Sequence, residues 1–146
     1  MSTETQPVDQ KRFTSPDVLG GLTAFRERQR LGEVERWIEA HLERPLTLSD
    51  LCGVAGVSRR TLHRLFIRYR DQPPMKHVAA RRLAQARRRL LERRPDDSVT
   101  RVAIECGFAH LSRFAGLYRA TYGERPSESF RRDASPALEW TPATRL

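Results

Sequence analysis

Positively charged hydrogen-bond donors recur along one side of a predicted helix over residues 59–69. On a wheel of 100° per residue, Arg60, His63 and Arg64 fall opposite an apolar side, with Arg59 and Arg68 on the flanks. Arginine can bond a guanine edge and can also neutralise a phosphate, as a helix in the DNA major groove must do. The pattern therefore predicts that Arg60, His63 and Arg64 contact bases. Arg59 and Arg68 are predicted to contact phosphates. A solvated basic face is the alternative.

A helix–turn–helix is predicted to position this face. A first short helix over residues 48–55 has a start signal in Thr47, with an acidic Asp50 three residues further on. Gly56 then allows the backbone to turn, and Ser58 can cap the second helix by accepting from an early N–H group.

The same corner occurs a second time in the chain. Gly107 and Val102 follow Gly56 and Leu51 at a constant offset of 51 residues, and beyond the corner the offset grows by one. A repeat at this spacing indicates two copies of one supersecondary unit. Two helix–turn–helix units are much harder to obtain by chance than one.

The second unit presents a smaller and less basic outward face than the first. On its predicted basic helix, about residues 110–122, Ser112 turns outward with Arg113 to one side, and Arg119 is predicted to contact a phosphate. Gly116 has no side chain to cross the gap to a base edge. We therefore expect this unit to contribute mainly phosphate contacts and a preference for DNA shape.

Charge is concentrated in the middle of the chain. The 146 residues include 27 Lys or Arg and 18 Asp or Glu, giving a net charge of +9. Residues 59–94 hold 13 of the basic and 2 of the acidic residues, so the rest of the chain is slightly acidic. A polyanion is the expected partner, and nucleic acid is the commonest one.

The remaining residue types favour neither an enzyme nor a secreted or membrane protein. The four histidines lie on different predicted elements without a partnered nucleophile, and no glycine-rich phosphate loop or paired-carboxylate motif is present. Cys52 and Cys106 are expected to be free buried thiols, and no cofactor or metal is expected. Without a signal-peptide pattern or a long apolar run, we expect a cytoplasmic protein with no membrane contact.

The chain divides into an arm, a folded domain and a tail. Residues 1–32 are expected to be a flexible arm with a weak helix near 17–31, and residues 133–146 a flexible tail. Between them an all-α domain is predicted, with a first lobe at 33–72, a spacer helix at 74–94 and a second lobe at 98–132. On the spacer, Arg87 is predicted to face phosphate.

Residues 33–132 resemble the DNA-binding domain of AraC/XylS-type bacterial transcription regulators. The matching motifs are Leu48-x-x-Leu-Cys, Leu62-x-x-Leu-Phe66, Arg82-Leu83-x-x-Ala86, Val102-Ala-x-x-x-Gly-Phe108, Ser112-x-Phe-x-x-x-Tyr-Arg119 and Tyr122-Gly-x-x-Pro-Ser127. The resemblance implies seven helices in two homeodomain-like lobes, each placing one helix in successive major grooves. The base-reading positions of the family fall on Arg60, His63, Arg64, Leu111, Ser112, Arg113 and Gly116. Asp71 stands where the family usually has glycine.

The function expected from these observations is a sequence-specific DNA-binding transcription regulator. Its partners would be double-stranded DNA and RNA polymerase, and the protein would be a monomer or a weak homodimer. Many relatives carry a separate effector-sensing domain, and residues 1–32 are too few to form one. The alternative is an accessory protein-interaction module that contacts polymerase or a partner regulator without reading DNA.

Overall fold

The structure is a computed structural model that describes residues 16–132, and in that range it is built from helices and turns with no strand. Seven helices follow one another as α1 Pro16–Ala40, α2 Leu48–Ala55, α3 Arg59–Arg70, α4 Pro74–Glu92, α5 Val99–Glu105, α6 Leu111–Tyr122 and α7 Pro126–Arg131. The predicted all-α fold is confirmed. The predictions for residues 1–15 and 133–146 lie outside the described residues.

Two separate apolar cores form, and α4 contributes to both. In the first core, α1, α2 and α3 pack together with Val78 of α4. In the second, Leu83, Ala86 and Leu90 of α4 pack with α5 and α6. With 19 residues, α4 is about 28 Å long at 1.5 Å per residue. The spacer helix thus contributes side chains to the cores of both lobes.

The predicted caps at the first corner are present. The side chain of Thr47 accepts a hydrogen bond from the Asp50 amide at 3.2 Å, and Asp50 accepts one from the Thr47 amide at 2.8 Å. The Thr47 hydroxyl also donates to the Asp50 carboxylate at 2.7 Å, and this bond, together with that from the Thr47 amide, lowers the pKa of Asp50 below its ordinary value. Gly56 adopts a left-handed conformation with φ 62°, and Ser58 caps α3 by accepting from the Thr61 amide.

Asp71 ends α3 in a left-handed conformation, with φ 54° and its amide bonded to the carbonyl of Ile67. Only a few residues other than glycine adopt this conformation readily, and Asp is one of them. Asp71 therefore ends α3 in the left-handed conformation that glycine commonly supplies at the end of a helix.

The first helix is longer and more regular than predicted. One continuous helix covers Pro16–Ala40, so the expected boundary at residue 32 lies inside α1. Leu31, Val34 and Ile38 are all buried in the first core. Gly20 and Gly21 lie in the exposed turns before this stripe, and α1 runs through them despite a cost of about 1 kcal/mol for each helical glycine.

The two lobes are in direct contact at the second corner. Arg82 of α4 donates from Nε to the carbonyl of Leu42 at 2.9 Å and from Nη2 to that of Arg44 at 2.6 Å. Gly107 of the second corner packs closely against the hydrogen bond between Arg82 and Leu42. A Cβ at Gly107 would lie 2.5 Å from the Leu42 oxygen. The relative orientation of the lobes is therefore set by backbone contact as well as by α4.

None of the helices in the described part of the chain has the length and apolar character needed to cross a bilayer.

The two cysteines lie in different lobes. Cys52 packs against the first core and Cys106 is buried in the second, and both are free thiols. Burial raises the pKa of the Cys106 thiol to about 11, so this sulfur stays protonated and behaves as a small apolar group.

Candidate nucleic-acid interface

The exposed side of α3 brings the three predicted base-reading residues together. Arg60, His63 and Arg64 are all exposed and line one open depression with the neighbouring Thr61. We call this surface the reading face. It forms because Leu62, Leu65 and Phe66 are buried in the opposite direction, so the apolar stripe of α3 fixes which side chains point outward.

Arg59 and Arg68 lie at the two edges of α3. Arg59 donates from Nη2 to the hydroxyl of Ser49, at 2.7 Å, and so lies over the first turn of α2. The side chain of Arg68 is 59% exposed and pairs with Glu27 of α1 at 3.2 Å. Both guanidinium groups remain open to solvent, and their phosphate contacts stay a prediction.

Glu27 is a feature of this surface that reasoning from the sequence missed. Its carboxylate, only 15% exposed, lies 3.9 Å from Arg64 and 3.2 Å from Arg68, and it accepts from the hydroxyl of Tyr69 at 2.7 Å. That hydrogen bond raises the pKa of Tyr69. Glu27 precedes Arg64 by 37 residues, and no local spacing links the two.

The outward side chains of α6 point in two directions. Arg119 lies beside Leu111 and Gly116, over a depression that α7 completes. Arg113 instead borders a groove against α4, next to His110. Ser112, like the other outward residues of α6, is exposed. The two arginines of α6 therefore lie on separate surfaces, whereas the three donors of α3 share one.

Arg87 is placed differently from the prediction. Its guanidinium lies 3.1 Å from Glu124 and 4.3 Å from the centre of the Tyr122 ring, and its side chain is only 27% exposed. A long-range ion pair with a carboxylate that also binds Ser129 holds it within the second lobe. Arg87 joins α4 to the segment after α6, and this internal pairing competes with the phosphate contact expected of it.

Arg89 of α4 is likewise paired inside the protein. Its side chain is 13% exposed and pairs with Asp97 at 2.7 Å and with Glu105 at 2.5 Å. Both carboxylates stabilise its charged form and raise its pKa, the bond to Glu105 most. The basic run of α4 is thus partly internal, and the local charge available to a polyanion is smaller than the sequence suggests.

The fold and the reading face together define a double helix–turn–helix protein, in which one helix sets the spacing of two recognition-type helices. Residues 51–132 match the profile of a family described as a helix-turn-helix domain. A XylDLEGF operon transcriptional activator of Pseudomonas putida is 38% identical over 100 residues, which are 68% of this chain and 30% of that protein.

Solved structures agree with this match. A transcriptional regulator with an AraC-type DNA-binding domain, from Chromobacterium violaceum, has a TM-score of 0.68 at 33% identity, covering 75% of this chain and 96% of that one. The DNA-binding domain of AdpA, solved in complex with a target DNA, has a TM-score of 0.62 at 32% identity, covering 68% and 87%.

The chain belongs to the AraC/XylS-type family of transcription regulators. The resemblance in its motifs is thereby confirmed, together with the seven-helix architecture that it implies. The chain spans about 30% of the length of the Pseudomonas putida relative. The relatives that it matches are transcription regulators, which is a role other than catalysis.

Proposed function

We propose that this protein is a sequence-specific DNA-binding transcription regulator that inserts α3 and α6 into successive major grooves of one duplex. The observation that carries the proposal is the reading face, where Arg60, His63 and Arg64 lie side by side on the exposed surface of a helix–turn–helix. The solved complex of the AdpA domain with its target DNA supports the same use of the fold.

The two lobes have unequal tasks in this proposal. Arginine and histidine on α3 can reach base edges and discriminate among them. On α6, Ser112 is short and Gly116 has no side chain, so Arg113 and Arg119 are left to reach the DNA. The second lobe therefore contributes mostly contacts to the phosphate backbone and a preference for deformable or narrow-grooved sequence.

We also propose that the protein activates transcription by contacting RNA polymerase in the cytoplasm. The support lies in the names of the relatives, which include transcriptional activators of the XylDLEGF operon and RhaS. The protein would act as a monomer or a weak homodimer, since one chain already offers two recognition-type helices.

Binding is expected to weaken steeply with salt. Each phosphate neutralised by an arginine releases counterions, so the logarithm of the association constant should fall with the logarithm of salt concentration by about 0.9 per phosphate. Fluorescence anisotropy with a labelled duplex, between about 50 and 200 mM salt, measures this slope. A slope of zero would contradict DNA binding and favour the accessory interaction module.

The preferred site is expected to be non-palindromic, with one sharp and one degenerate half. If α4 holds α3 and α6 about one helical turn apart, the halves lie roughly 10 base pairs from each other. Footprinting should show protection over both halves, whereas selection from random duplexes should concentrate the sequence information in the half read by α3. Two equally sharp halves would contradict the assignment of α6.

A further inference from the structure

The N-terminal half of α1 extends past the first core and lies beside the reading face. Leu31 is the first fully buried apolar residue of α1 among those described, and the exposed Leu19, Leu22 and Phe25 precede it. Glu27 lies in the same half, and its carboxylate reaches α3. Several turns of helix are therefore held next to α3 by polar contacts, without a role in the core.

Between these turns and α3 lies a cleft of about 260 Å³, which we call the α1–α3 cleft. Arg26 and Arg30 line it from α1, and Thr61 and Arg64 line it from α3, with Glu27 between them. Three guanidinium groups thus face one carboxylate in a space that suits a tetrahedral oxyanion with several acceptor oxygens.

The single carboxylate of the cleft is already engaged. One oxygen of Glu27 accepts from Arg68 and from Tyr69, and the other lies 3.9 Å from Arg64. Arg26 and Arg30, in contrast, are exposed and make no ion pair with any residue in the described range. The charge of these two arginines is therefore available to a ligand, while Arg64 lies where the cleft meets the reading face.

The position of the cleft indicates which anion it takes. The major groove is about 12 Å wide, and a helix with its side chains measures about 10–12 Å, so one helix fills the groove. With α3 in the groove, a helix packed alongside must lie over the sugar–phosphate backbone at the groove's edge. The cleft shares Thr61 and Arg64 with the reading face, so it faces that edge.

We propose that the α1–α3 cleft binds one backbone phosphate of the duplex that α3 reads, with Arg26 and Arg30 as the donors from α1. The inference rests on the proposed function, and it adds α1 to the DNA-contacting elements. Because a phosphate is the same at every sequence, this contact adds affinity and fixes the register of α3 on the duplex without changing the preferred bases.

The test compares Arg26→Gln and Arg30→Gln, singly and together, with Arg36→Gln as the matched control. Arg36 is an exposed arginine of the same helix that does not line the cleft and has no ion pair among the described residues. For the double variant we expect the magnitude of the salt slope to fall by about 1, with weaker binding to all duplexes and an unchanged selected motif.

Each outcome has a separate meaning. If the wild-type protein shows no salt-dependent binding, the proposed function fails. If the wild type binds with a steep slope that the double variant retains, or if Arg36→Gln reduces the slope as much, the cleft proposal alone is overturned. Thermal unfolding of each variant should match the wild type because the two side chains are exposed, and a folded variant with a reduced slope supports the cleft.

Discussion

Arg64→Ala is expected to weaken binding to the preferred site by about 1–3 kcal/mol, which is roughly 5- to 150-fold. Arg64 lies on the reading face beside Arg60 and His63, and its side chain is 67% exposed. A guanidinium in that position can bond a guanine edge through two donors, and alanine loses both bonds. Binding to unrelated duplexes should weaken only by the loss of one charge.

The measurement is a pair of titrations, one with the selected duplex and one with a scrambled duplex, at the same salt concentration. A new selection with the variant should show relaxed preference at one or two base pairs. Arg36→Ala, which removes the same charge from α1, should affect both duplexes equally. An unchanged selected motif for Arg64→Ala would mean that α3 enters the groove in another register.

Gly107→Ala is expected to destabilise the protein by about 3 kcal/mol or more, and Gly123→Ala by only about 1–2 kcal/mol. Both glycines have left-handed backbones, with φ 86° and 72°, so an alanine is strained at either position. At Gly123 a Cβ would meet nothing within 4 Å. At Gly107 it would lie 2.5 Å from the Leu42 carbonyl and 2.7 Å from Nε of Arg82.

The free energies of unfolding of the two variants, measured in urea, are compared. Because the backbone strain is common to both, their difference isolates the contact between the lobes. The Leu42 oxygen belongs to backbone and accepts from Arg82, so neither partner can move away without losing a hydrogen bond. The Gly107→Ala variant that remains folded should also lose footprint protection over one half of the site. Equal destabilisation by the two substitutions would contradict a structural role for this contact.

Local features of this chain are determined by the sequence itself. Thr47, Gly56 and Ser58 produce the corner because each acts on backbone groups within four residues of its own position. The repeat of that corner at Gly107 likewise needs no tertiary information. The apolar stripe of α3 also fixes the direction of the reading face, since 3.6 residues per turn place Arg60, His63 and Arg64 opposite it.

The tertiary structure alone decides the extent of α1 and the partner of each arginine. Gly20 and Gly21 favour an interruption, but α1 is continuous through them, and its Glu27 contacts Arg68 and Tyr69 of α3. The sequence predicts that Arg64 and Arg87 both face DNA, yet the side chain of Arg64 is two-thirds exposed whereas that of Arg87 is paired with Glu124. Their acidic neighbours are 37 residues away, and helical periodicity carries no information about contacts at that separation.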